Sequence, residues 1–171
     1  MDLRGSWMYI TDTARSRLAT NKTSRHVAEF GDGIEVLGVA GEVTARRFLG
    51  LPEIVHGGFD GGADIIYCGI RIDVKATVLT PKVNHRFLQW PKWKRIKADY
   101  VLLTAIDPIS QQSVILGYAT PQEIMNSPVN EDRKYPCYEL EVDKLHPEYL
   151  LVVEAMRRQS EYWGFQNSQG E

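Results

Sequence analysis

Asp64, Asp73 and Lys75 are the residues of this chain whose types and spacing could together carry out hydrolytic chemistry. Two carboxylates held side by side offer the hard oxygen ligands that Mg²⁺ or Mn²⁺ accepts while keeping waters for a phosphate substrate. An amine alongside can position one of those waters or offset charge growing on phosphate oxygens. Whether the three groups meet depends on strand register. Ile70, Ile72, Val74, Ala76 and Val78 alternate with Arg71, Asp73, Lys75 and Thr77, the period of two expected of a half-buried strand. If Cys68-Gly69 is a two-residue hairpin loop, Tyr67 faces Ile70, Ile66 faces Arg71, Ile65 faces Ile72 and Asp64 faces Asp73. Lys75 then lies two residues along on the same face. A three-residue loop would slip the pairing and separate the aspartates.

Facing carboxylates repel. At an effective dielectric near 20, two unit charges about 4 Å apart cost about 4 kcal/mol. A fold keeps such a pair when one carboxyl stays protonated or when a cation sits between them. The plain alternative is a surface hairpin on which Asp73 and Lys75 are merely solvated, the ordinary outcome for an isolated D-x-K.

The elements that must position these groups are legible on either side. Residues 34–49 read as a helix with Val36, Leu37, Val39, Ala40, Val43, Phe48 and Leu49 as a broad apolar surface. Gly50 and Pro52 stop it. Glu42 lies mid-helix beside Gly38, Gly41 and Ala45. Interior glycines cost about 1 kcal/mol each relative to alanine, so something is expected to approach this face closely. Glu42 could be a ligand or a water-holder there, and equally an ordinary helix glutamate; Glu35 lies two turns earlier on a similar face. The glycine-rich run before the hairpin, HGGFDGGAD, adds Asp60.

After the hairpin, residues 79–97 interleave Lys82, His85, Arg86, Lys92, Lys94, Arg95 and Lys97 with Phe87, Trp90 and Trp93. Basic groups neutralise phosphates and aromatic faces stack on exposed bases, although such tryptophans are more often core anchors. Residues 11–29 read as a polar helix or helix-turn, and Arg15, Arg17, Lys22, Arg25 and His26 make it basic. That segment is either a solvated face or an arm on a phosphate backbone. Apolar strands are expected over 99–106 and 113–119, with a further strand over 137–142. Thr120-Pro121-Gln122-Glu123 has the form of a helix start with a capping box. Residues 126–136 read as loop, and 147–158 as a C-terminal helix.

At 171 residues the chain has the size of a single domain. It divides into a basic helical segment over 1–30, a core over 31–163 and a polar tail over 164–171. The net charge of −2 excludes a protein coated in basic residues, so any nucleic-acid contact must use a local patch. No apolar run is long enough to span a bilayer and the first residues lack the form of a signal peptide; no membrane partner and a cytoplasmic location are expected. Cys68 and Cys137 have no C-x-x-C partner, which makes a zinc site on them unexpected.

In order and spacing, GEVTARRFLGLP, then GGFDGGAD, then RIDVKAT, then KADYVLLTAID and SVILGYAT resemble the PD-(D/E)xK nuclease superfamily. The likeness covers residues 38–124 and is nearest to the small restriction-endonuclease-like proteins of phage and of modification-dependent restriction. It implies an α/β fold with a central mixed β-sheet flanked by helices, a restriction-endonuclease-like core. It also implies a Mg²⁺-dependent phosphodiesterase, with Mn²⁺ able to substitute, acting on DNA as an endonuclease more readily than as an exonuclease. The host cytoplasm is the location implied for a phage-type member. Asp64 matches the first motif aspartate, Asp73 the second acidic position, Lys75 the lysine and Glu42 the helix glutamate. The Val74 carbonyl would assist Asp64, Asp73 and Glu42 in holding the metal, and Asp60 falls in a supporting position. Many relatives carry glutamate where Asp73 stands. Lys82, His85, Arg86, Lys92, Trp93, Lys94 and Arg95 are then the candidate DNA contacts. A homodimer is the simplest means of cutting both strands. A nuclease-like fold that only binds nucleic acid or a protein partner, without turnover, is the alternative.

Overall fold

The structure is a computed structural model that describes residues 1–20, 33–55, 62–79 and 87–167. Its centre is strand β2 (Ile70–Val78), which is paired on both sides. Strand β1 (Ile65–Tyr67) runs antiparallel to it in the register Ile65↔Ile72, Ile66↔Arg71 and Tyr67↔Ile70. The turn between them has Cys68 at φ 47° and Gly69 at φ 78°. Two successive left-handed residues are what a two-residue hairpin of matching twist requires, and the expected register follows for Ile65, Ile66 and Tyr67, though not for Asp64.

Strands β3 (Phe87–Pro91), β4 (Tyr100–Asp107) and β5 (Gln112–Ala119) come next in the chain. β4 lies parallel to β2, and β5 returns antiparallel to β4, giving a mixed sheet of order β1-β2-β4-β5. Paired residues of neighbouring strands share a face, so Tyr100 and Leu102 lie with Ile72 and Val74, and Val101 and Leu103 with Asp73 and Lys75.

Helix α1 (Trp7–Thr20) and helix α2 (Gly33–Phe48) stack on the Val74 side. Ile10 and Ala14 of α1 meet Val39, Ala40 and Val43 of α2. Gly41 explains how closely α2 approaches the sheet. A Cβ placed there would lie 2.8 Å from Thr104 Oγ1 and 2.9 Å from the Ala76 side chain. The glycine therefore admits the sheet itself, whereas a Cβ at Gly38 would meet nothing within 4 Å. Beyond helix α3 (Pro121–Met125), helix α4 (Glu148–Asn167) places Leu151 and Ala155 against the same core, among Ile70, Ile72, Tyr100, Leu102 and Ile115.

The opposite face carries the short helix α3 and, in place of a long helix, further strands. It is covered by a second, three-stranded antiparallel sheet of β3 with β6 (Val129–Asn130) and β7 (Cys137–Glu141), in the order β3-β7-β6. Leu88 and Trp90 of β3, Leu140 of β7 and Ile124 of α3 pack there with Val101 and Leu103. α3 starts as its capping box predicts: Thr120 Oγ1 accepts from the Glu123 N–H and Glu123 Oε2 accepts from the Thr120 N–H. At the C-terminus, residues 164–167 of the expected polar tail belong to α4. No described helix is long and apolar enough to cross a membrane.

Candidate active site

Asp64 sits where β1 begins. The Ile72 carbonyl, already opposite Ile65, also accepts the Asp64 N–H at 2.9 Å. Two residues of one strand thus oppose one of the other, a bulge that re-aims the first side chain. Asp64 consequently does not continue the ladder as the direct partner of Asp73. Its Oδ2 accepts instead from the Val74 N–H at 2.6 Å. In extended backbone the N–H and C=O of one residue point to the same side, so the Val74 carbonyl is directed to this same edge.

Burial and charge then act on Asp64 together. Desolvation comes first, followed by the negative charges of Asp73 and then Glu42, and they push its pKa up to about 7; the Val74 hydrogen bond and Lys75 act in the opposite direction. Asp73, 6% exposed, forms an ion pair with Lys75. The solvated-hairpin alternative therefore does not describe Asp73. Lys75 remains 29% exposed and its ammonium lies 4.6 Å from the centre of the Trp90 ring.

Glu42 comes from α2, on the other face of the sheet from Asp73 and Lys75, and is 6% exposed. Both of its oxygens accept from Arg17, at 2.7 and 2.9 Å, and Arg17 also lies 3.6 Å from Glu35. Arg17 was expected on a solvated face or a phosphate-binding arm; the structure turns it onto α2. Its place could have been read from spacing, because positions 10, 14 and 17 fall on one side of a helix and Ile10 and Ala14 are both fully buried. Arg46, which no motif in the sequence singles out, donates from Nη2 to the Asp64 carbonyl at 3.4 Å, while its buried Nε has no hydrogen-bond partner among the described residues.

The donor set suits a hard divalent cation at one edge only. Asp64, Asp73 and the Val74 carbonyl are oxygen groups brought together at the start of β1, and the charged form of Asp64 is disfavoured without a compensating cation. Glu42 could join them only by releasing Arg17. Among the described residues, no group of three His, Cys, Asp or Glu side chains is already assembled as a metal site.

Beyond Trp90, the turn after β3 exposes Lys92, Trp93, Lys94 and Arg95. Trp93 is 70% exposed, Lys92 pairs with Glu131 at 2.8 Å, and the Lys94 ammonium lies 5.0 Å from the Trp90 ring centre. Trp90 is the core anchor of the set: it is buried, and its indole N–H donates to the Lys94 carbonyl at 2.6 Å. Asp60, Lys82, His85 and Arg86 lie outside the described residues. No protein-family model matches the chain, and no match was found among curated proteins or solved structures.

Proposed function

We propose that this chain is a metal-dependent nuclease of the PD-(D/E)xK kind, with a restriction-endonuclease-like core, that hydrolyses phosphodiester bonds in DNA. The observation that carries this reading is the half-buried Asp64 carboxyl, held by the Val74 N–H beside Asp73 and within electrostatic reach of Lys75 and Glu42. Asp64, Asp73 and the Val74 carbonyl would hold Mg²⁺ or Mn²⁺, which when bound polarises the scissile phosphate and lowers the pKa of a coordinated water. Asp64 would release its proton to solvent on taking that role, since ligating carboxylates must be ionised. Lys75 keeps one contact to Asp73 and turns its remaining N–H donors to the attacking water or a phosphate oxygen. Glu42 balances Arg17 and adds negative potential at Asp64. Lys92, Lys94 and Arg95 contact the DNA backbone, with Trp93 free to stack on a base. A twofold dimer would deliver two such sites to the two strands.

The test is incubation of the protein with linear, circular and branched DNA, with and without Mg²⁺. Metal-dependent cleavage that disappears in Lys75→Ala supports the proposal, and DNA left intact by the wild type rejects it. A second reading, a catalytically silent subunit that binds DNA or a protein, is favoured by one observation: Glu42 and Asp73 already have cationic partners. It predicts DNA retained without cleavage and no Mn²⁺ uptake in calorimetry.

A further inference from the structure

We infer that Trp90 is a positioning residue for Lys75: its buried indole face holds the lysine ammonium beside Asp73 while leaving that ammonium's charge and donors available. The inference rests on the reading of Lys75 as the amine of the site. Lysine carries its charge on a flexible four-carbon stem, and at 29% exposure Lys75 is not fixed by burial alone. Among the described residues two groups locate it, the Asp73 carboxylate and the Trp90 ring at 4.6 Å. They differ in kind. A second carboxylate would neutralise the ammonium and engage its N–H donors, whereas an aromatic face attracts a cation through its quadrupole without a directional bond. The ring can therefore restrict Lys75 and still leave hydrogen bonds for a phosphate oxygen or a water.

The platform is itself firmly held. Trp90 is 1% exposed, is paired with Tyr138 across the β3–β7 ladder, and packs with Leu88, Val101 and Leu103. Its N–H is fixed on the Lys94 carbonyl. This gives the second sheet a purpose beyond covering an apolar face. It also places the exposed Lys92–Arg95 turn next to the proposed chemistry, because Lys94 shares the Trp90 ring with Lys75.

The test uses the full chain labelled with ¹³Cε-lysine. The Lys75 ε-methylene resonance is identified by its loss in Lys75→Arg. Protons above an indole face are shielded, so this resonance is expected upfield of the solvent-exposed lysines in the wild type. It should move partway back in Trp90→Phe and fully in Trp90→Leu. In parallel, Trp90→Leu should lower kcat for DNA cleavage about tenfold with KM little changed, and Trp90→Phe should retain most of the rate. A wild-type Lys75 resonance among the solvent-exposed lysines overturns the inference even if Trp90→Leu does not fold. Equal rates for folded Trp90→Leu and wild type overturn it as well. A wild type that cuts no DNA sinks the nuclease reading instead, and the resonance position still decides whether Trp90 holds Lys75.

Discussion

Val74 donates its backbone N–H to Asp64 Oδ2 at 2.6 Å, tying the start of β1 to the middle of β2. The bond keeps a carboxyl at a half-buried edge where Asp73 and Glu42 both disfavour its charge. Several measurable consequences come from that placement.

Stability of the metal-free protein should fall as pH rises from about 4 to about 7. Asp64 has its folded pKa raised from 3.8 to about 7, so in that interval the native state keeps a proton that the unfolded chain has released. The slope is then negative, and the stabilisation present below the unfolded pKa is lost as pH passes through the folded one. Urea titrations at pH 4.5 and 7.5 with chelator present should show this contribution, and Asp64→Asn should abolish it.

Asp64→Asn should also be more stable than the wild type at pH 8 without metal, by about 1–2 kcal/mol. The amide oxygen can still accept from Val74 while the repulsion is gone. The same variant should lose cleavage. A chemical-denaturation midpoint below that of the wild type would contradict the placement of this side chain.

Lys75→Ala should remain folded by circular dichroism yet lose 10²–10⁴-fold in cleavage, roughly the range for removing a positioned acid–base group. Asp73 is left buried without its partner, so the midpoint of thermal unfolding should also drop. Cleavage at the wild-type rate would remove Lys75 from the mechanism.

Arg17→Met should destabilise the protein by about 2–4 kcal/mol, because it removes the guanidinium that binds both oxygens of the buried Glu42 carboxylate. Adding Glu42→Leu should recover most of that loss. Urea unfolding of the two singles and the double gives the coupling directly, and strictly additive losses would argue against the pair.

Gly41→Ala and Gly38→Ala should act in opposite directions. Alanine favours a helix by about 1 kcal/mol over glycine, and at Gly38 nothing opposes the gain. At Gly41 the new methyl meets Thr104 and Ala76 at under 3 Å, and overpacking of this kind costs about 1–3 kcal/mol. Thermal melts of the two variants test whether α2 truly lies against β2 and β4.

Much of this arrangement was legible in the chain because it is encoded locally. The two-residue turn at Cys68-Gly69, the alternation of β2, the α2 stripe and the Thr120 capping box each need only a few neighbouring residues, and each is present in the structure. The bulge at Asp64 was not legible, since it arises where a glycine-rich segment meets the end of a ladder and leaves no mark in periodicity. β3 was hidden for another reason. Five residues ending in proline, among lysines and tryptophans, present too short an alternation, and their pairing partner in β7 lies some fifty positions away. Arg17 was misplaced because one buried arginine among solvated ones looks the same in sequence; only its spacing from Ile10 and Ala14 distinguished it.

Crystals grown with Mn²⁺, measured for anomalous scattering at the manganese edge, show whether Asp64 and Asp73 form the metal-binding edge of a hydrolase. A peak is expected between the two carboxylates, with the Val74 carbonyl alongside, and it should vanish in Asp64→Asn. Saturating Mn²⁺ with no peak there, or a peak that persists unchanged in that variant, would contradict that assignment.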